Sequence, residues 1–368
     1  MKSKTFGKCR RYSAFRHLDS VFVKRKPIQL TLFLTRRCNA KCDFCFYLSQ
    51  KKRKIDAGEL TIAEIKRIAA GFGDLLWLAF SGGEIFLRPD LPEIAEIFYN
   101  RNRPAIILLP TNGLLPEVIR AHTEAILNKC PKSTVVVKVS LDGDPRTHDA
   151  LRGVPNAHAQ ALGTYARLEE LLDCYDNFEL GINTVFCAAT QDGIVDHIET
   201  VREFESCKTH TVSLIRGEVD NTGHKEVCLE KYERAGGVLT ENLRRSTAGR
   251  YRFNGGRLKA AQDILQRRLI GRTAEENRQI IPCYAGRLTL VITETGDVYP
   301  CESFAGKIAN LREIDFDFKR LFESEEYRGV VKGIRDGRCH CHHECYMMMN
   351  ILFNPRRYPA LFRQYLAL

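Results

Sequence analysis

The chain has 368 residues, of which 44% are hydrophobic and 27% charged, and a formal net charge of +11. It is long enough to bury a large core with a smaller unit beside it. With no apolar run of ~18 residues and no signal-like apolar segment ahead of a small-residue cleavage site, a membrane-spanning helix and a secretory signal are excluded, and the expected location is the cytoplasm.

Residues 1–27 hold nine Lys or Arg against one Asp, so most of the positive charge sits in this arm and the rest of the chain is close to balanced. Phe15, Leu18 and Phe22 recur there at helix spacing. The arm therefore reads as a cationic amphipathic segment for an anionic surface (membrane leaflet, peptide or RNA), which would make the protein peripheral to a membrane. A solvated extension or an organellar transit peptide are the competing readings, and Cys9 has no assigned role.

From residue 28 apolar runs alternate with helical patterns: "IQLTLFL", "LLWLAFSGG", "AIILLPTNG", "VVVKVSLDG", "FELGINTVF" and "THTVSLIRGE" read as strands, each but the last followed by a helix. Continuous apolar strands of this kind belong in a parallel sheet covered by helices, either a full or partial βα barrel or a doubly wound sheet. The carboxyl ends of such strands build the ligand site. Here they carry Cys38, Cys42 and Cys45, then "SGGE", "TNG", "SLDG" and Asn183.

Residues 225–280 read as a polar helical connector with a break at "NGG" (Asn254 to Gly256). Beyond it come Cys283, a strand, a "TGD" turn, a second strand, Cys301, and finally "CHCHHEC" with Cys339, Cys341 and Cys345. Eight of the fourteen cysteines thus fall into two clusters, which in a chain without a secretory signal points to metal rather than disulfides. Cys130, Cys174, Cys187, Cys207 and Cys228 are scattered, and core packing is their expected role, as it is for Met347, Met348 and Met349.

Three thiols are one short of a closed tetrahedral zinc site. On a cubane iron–sulfur cluster they would leave one iron open. The C-x₃-C-x₂-C run with Phe44 before its last cysteine, "GGE" after the second strand and "SLDG" after the fourth resemble the radical S-adenosylmethionine (SAM) enzymes over residues 28–220. The resemblance implies a partial (β/α)6 TIM-like barrel, with SAM chelated at the open iron of a [4Fe-4S] cluster and cleaved to a 5′-deoxyadenosyl radical that abstracts hydrogen from substrate. It further implies that Gly82, Gly83 and Glu84 receive the methionyl ammonium and that Phe44 lies near the adenine. Ser140 and Asp142 would sit near the ribose and Arg152 near the methionyl carboxylate, with Asn112 and Asn183 at the same rim.

The late cysteines resemble the SPASM and twitch extensions of that superfamily, which hold auxiliary iron–sulfur clusters, although five cysteines stand where the full SPASM pattern has seven. One auxiliary [4Fe-4S] cluster for electron transfer is expected, ligated by Cys283, Cys301, Cys345 and either Cys339 or Cys341. The expected architecture is a basic extension (1–27), a barrel (28–224), a helical connector (225–280) and a small β-hairpin plus helix iron–sulfur domain (281–368). For the second cluster zinc is the competing reading, because His340, His342 and His343 interleave the thiols.

The expected function is radical chemistry on a small-molecule, lipid or sugar substrate, with a flavodoxin or ferredoxin as reducing partner. A peptide-modifying maturase that forms thioether or C–C crosslinks is the first alternative; about 27 residues ahead of the barrel are fewer than a leader-binding domain needs. RNA modification is the second, disfavoured because the charge is confined to one arm without a recognisable RNA-binding module. A non-catalytic iron–sulfur or zinc scaffold is the third.

Overall fold

A computed structural model describes residues 11–47, 58–207, 209–245, 251–253, 255–303 and 306–368. The first ten residues of the basic arm, Cys9 among them, and Asn254 lie outside the described residues. The six apolar runs form parallel strands β1 (Gln29–Thr35), β2 (Trp77–Gly82), β3 (Ile106–Thr111), β4 (Thr134–Ser140), β5 (Phe178–Phe186) and β6 (Thr209–Leu214), each paired with the next in chain order. Between them run α1 (Ile62–Ala70), α2 (Leu91–Asn102), α3 (Pro116–Lys129), α4 (Pro145–Arg152), α5 (Ala157–Glu169) and α6 (Ile194–Arg202). This is the partial barrel that the family resemblance implied, one of the forms the alternation allowed.

Period-2 alternation sets the two faces of each strand. In β4, Val135, Val137 and Val139 are fully buried in the main apolar core with Ile119 of α3 and Ala161 of α5, while Lys138 and Ser140 take the other face. Fully burying one such aliphatic or aromatic side chain is worth about 1.5–3 kcal/mol. Local signals start the helices: Thr61 and Glu64 form a capping box on α1, and Asp144 accepts from the amides of Arg146 and Thr147 at the start of α4.

Two connector helices follow, α7 (Leu229–Arg244) and α8 (Gly256–Glu276), then β7 (Thr289–Ile292), β8 (Asp297–Tyr299) and β9 (Ala309–Asn310), and α9 (Phe318–Glu323), α10 (Glu325–Arg335), α11 (Glu344–Leu352) and α12 (Tyr358–Leu366). The hairpin is not a sheet apart. Strand β7 pairs parallel with β1, Gln29 opposite Thr289, so the barrel sheet continues through β8 and β9 to nine strands. Arg312, just past β9, donates to Glu64 of α1 and staples the late segment to the barrel.

Helix α8 packs against α7, α11 and α12. Met347, Met348 and Met349 of α11 are buried, as expected of packing residues. Of the scattered cysteines expected in the core, Cys130, Cys187 and Cys207 are buried, but Cys228 is half-buried and Cys174 is exposed. Among the described residues no helix is long and apolar enough to cross a membrane.

Candidate functional site

The loop that carries the first three thiols leaves β1 at Thr35 and is pinned from two sides. The Gly83 amide donates to Thr35 O at 2.7 Å and the Glu84 amide to Arg37 O at 2.9 Å. Both glycines of "GGE" are required by this approach: a Cβ on Gly82, whose φ is +114°, would lie 2.5 Å from Thr35 O, and one on Gly83 2.0 Å from Arg37 O. On the other side the Lys41 amide donates to Arg152 O at 2.9 Å, beside Gly153 with φ +62°.

Cys42 is buried, Cys38 and Cys45 are half-buried, and all three share one apolar cluster with Phe44. Burial pushes the Cys42 thiol up to about 11, while the Arg152 guanidinium, with Nη1 3.8 Å from Sγ, favours the thiolate. The Asn112 side-chain amide lies 3.8 Å from Cys38 Sγ and donates to Asn39 Oδ1 at 2.7 Å. A soft thiol triad at a strand end, with hydrogen-bond donors aimed at two of its sulfurs, fits a thiolate-ligated iron–sulfur cluster.

Several of the expected contact residues have partners within the chain. Asp142, expected beside the ribose, is fully buried: its Oδ2 accepts from Arg152 Nε at 2.8 Å and its Oδ1 from the Val185 amide at 2.8 Å. Arg152, expected at the methionyl carboxylate, is committed to Asp142 and stacks 5.3 Å from the Phe44 ring centroid. Phe44, expected at the adenine, also meets His224 edge-on. The Glu84 carboxylate, expected to take the methionyl ammonium, accepts from Thr111 Oγ1, the Asn112 amide and the Phe86 amide, and burial raises it to about 7. Ser140, the last residue of β4, does stand beside Asn183, three residues before the end of β5, with Ser213 donating to Asn183.

A tether the sequence offered no signal for closes the loop: His224 and Asn221, beyond β6, bond Asp43, with His224 Nε2 2.8 Å from Asp43 Oδ2.

The late cysteines gather differently from the expected set. Cys283, Cys301, Cys339 and Cys341 line one cavity with Tyr346 and Asn350; Cys345 does not line it. Burial pushes Cys345 up to about 12, and its charged neighbours are Glu302, Arg216 and Glu344 rather than the other thiols. Locally, His343 caps α11 by accepting from the Cys345 amide, so Cys345 stands in the first turn of that helix. The histidines are engaged as well, His340 with Asn277, His342 with Ile215 O and His343 with Glu302. Four thiols on one cavity match the donor number of a fully ligated cubane.

Cys45 belongs to the same apolar cluster as Cys283, Cys301 and Cys339, with Phe33, Tyr47 and Tyr346 packed among them. Arg216 bridges the two regions: it lies over the Phe46 ring at 5.5 Å and pairs with Glu302 and Glu344. Burial opposes the Glu302 charge, yet His343 and Arg216 hold its carboxyl down at about 2.

Residues 32–178 match the family model described as the Radical SAM superfamily. The AdoMet-dependent heme synthase of Methanosarcina barkeri is 28% identical over 317 residues, 80% of this chain and 85% of that protein. The antilisterial bacteriocin subtilosin biosynthesis protein AlbA of Bacillus subtilis is 31% identical over 147 residues, 39% of this chain and 31% of that protein. The crystal structure of Streptococcus suis SuiB bound to S-adenosylmethionine superposes with a TM-score of 0.57 at 17% identity, covering 86% of this chain and 68% of that one, and so shares the fold.

Proposed function

We propose, from the premise that this chain is a radical SAM enzyme with its family domain at residues 32–178, that Cys38, Cys42 and Cys45 hold the SAM-binding [4Fe-4S] cluster. We further propose that Cys283, Cys301, Cys339 and Cys341 hold one auxiliary cluster of the SPASM or twitch kind. The observation that carries this reading is the partition of eight clustered cysteines into a triad locked to the "GGE" turn, a four-thiol cavity, and Cys345 outside that cavity's lining.

When bound, the first cluster would supply the electron that splits the SAM sulfonium into methionine and a 5′-deoxyadenosyl radical. The chain's own residues orient and exclude water. Gly82 and Gly83 let the thiol loop close onto the end of β2, where a side chain would meet Thr35 O or Arg37 O, and so hold the triad beside Glu84. Arg152 and Asn112 direct positive charge and hydrogen-bond donors toward Cys42 and Cys38, and Ser140 and Asn183 line the mouth. The apolar path from Cys45 to Cys301 through Phe33, Tyr47 and Tyr346 suits electron transfer between two clusters.

For substrate we favour a small molecule over a peptide. The heme synthase likeness spans 80% of the chain, whereas the AlbA likeness covers little more than a third of it. A carboxylate-bearing tetrapyrrole is the first substrate class to test. Anaerobic reconstitution should yield about eight irons, and dithionite with SAM should release 5′-deoxyadenosine. Cys42→Ala should lose that release and keep about four irons; continued SAM cleavage by Cys42→Ala overturns the assignment.

A further inference from the structure

The amino ends of the barrel strands lie opposite the cysteine loop, and two segments from the ends of the chain meet there. The arm packs Val21 and Ile28 against Leu76, Ala105 and Leu288, the residues just ahead of β2, β3 and β7. Its outward side leaves Phe15, Leu18, Phe22 and Val23 exposed, Phe22 at 83%. Helix α12 buries Leu361 and Gln364 but exposes Tyr358, Phe362 and Leu366, one residue per turn along a single stripe, with Phe362 at 60%.

Tyr284 joins the two segments. Lys24 Nζ lies 4.7 Å and the Arg287 guanidinium 5.2 Å from its ring centroid, and Arg356 and Tyr358 act on the same side chain electrostatically. The face is cationic as well as apolar. Arg25 and Lys26 are exposed beside Phe22, and Arg356 and Arg363 flank the α12 stripe, in a segment from 353 to 368 that holds no Asp or Glu. Asp19 lies in the arm, and Asp74 is already paired with Arg16 and Arg103.

We propose that residues 11–26 and α12 together form a peripheral docking face for an anionic lipid leaflet. Large exposed apolar side chains cost free energy in water and are relieved by insertion at a headgroup boundary, and the interspersed cations are attracted by anionic headgroups. A two-fold contact with a second copy would set this cationic face against itself, which repels. Docked this way, the protein turns its thiol-lined mouth away from the bilayer.

Flotation of the full chain with vesicles of phosphatidylcholine alone, or with about one third phosphatidylglycerol, tests the proposal. Binding is expected only with the anionic vesicles and should weaken about tenfold in Phe15→Ser/Phe22→Ser and in Phe362→Ser/Leu366→Ser. All four side chains are exposed, so melting temperatures should stay unchanged and a lost interaction is separable from misfolding. Equal binding to neutral vesicles, no binding to either, or indifference to the α12 variant overturns it. A dimer that these substitutions dissolve, or preference for RNA over vesicles, overturns it too.

Discussion

Arg152 ties Asp142 to Cys42: its Nε lies 2.8 Å from Asp142 Oδ2 and its Nη1 3.8 Å from Cys42 Sγ, with both charged side chains removed from water. The carboxylate that the motif "SLDG" carries thus acts on the thiol loop through an arginine ten residues further on.

Breaking that pair should be costly. Asp142→Asn leaves a buried guanidinium without its counter-charge, and loss of about 3–5 kcal/mol is expected. Chemical denaturation of the variant against the parent measures it, and a loss below about 1 kcal/mol would show that solvent reaches the pair.

Gly83→Ala places a methyl group 2.0 Å from Arg37 O, which only a shift of the thiol loop relieves. The variant should reconstitute with about four irons instead of about eight, retaining the auxiliary cluster and releasing no 5′-deoxyadenosine. Full iron content with normal SAM cleavage would show that the loop is not constrained by this turn.

The auxiliary ligand set can be read by iron counting and by the spectroscopy of the second cluster. Cys345→Ser should leave both unchanged, whereas Cys339→Ser and Cys341→Ser should each disturb them. The opposite pattern would restore Cys345 as a ligand.

Glu179 offers a pH test away from the thiols. Burial raises its carboxyl from 4.5 to about 7, opposed by the Arg252 backbone and the charges of Arg252 and Arg11. Between those values the folded protein binds the proton that the unfolded chain has released, so this residue's contribution to stability falls as pH rises from about 4.5 to about 7 and stays low above it. Glu179→Gln should flatten that part of the pH profile of the melting temperature. An unchanged profile would show that Glu179 stays ionised in the fold.

The alternation of strands and helices, the thiol triad at the end of β1, the "GGE" turn and the late cysteine group were all legible in the amino-acid sequence. Each is written in local terms: side-chain period follows from backbone geometry, and a turn of two glycines or a C-x₃-C-x₂-C loop is a property of a few adjacent residues. Resemblance to the radical SAM enzymes rests on those same local runs.

What only the tertiary structure decided is where groups distant in the chain find their partners. Gln29 stands opposite Thr289, so the late hairpin extends the barrel sheet instead of forming its own. Glu84 takes Thr111 as a partner, and Asp142 takes Val185 and Arg152, contacts that no motif announces. Cys283, Cys301, Cys339 and Cys341 line one cavity whose lining does not include Cys345. In each case one buried polar group has several possible partners within the chain, and packing alone chooses among them, since a buried donor or charge must be satisfied by whatever the fold brings within reach.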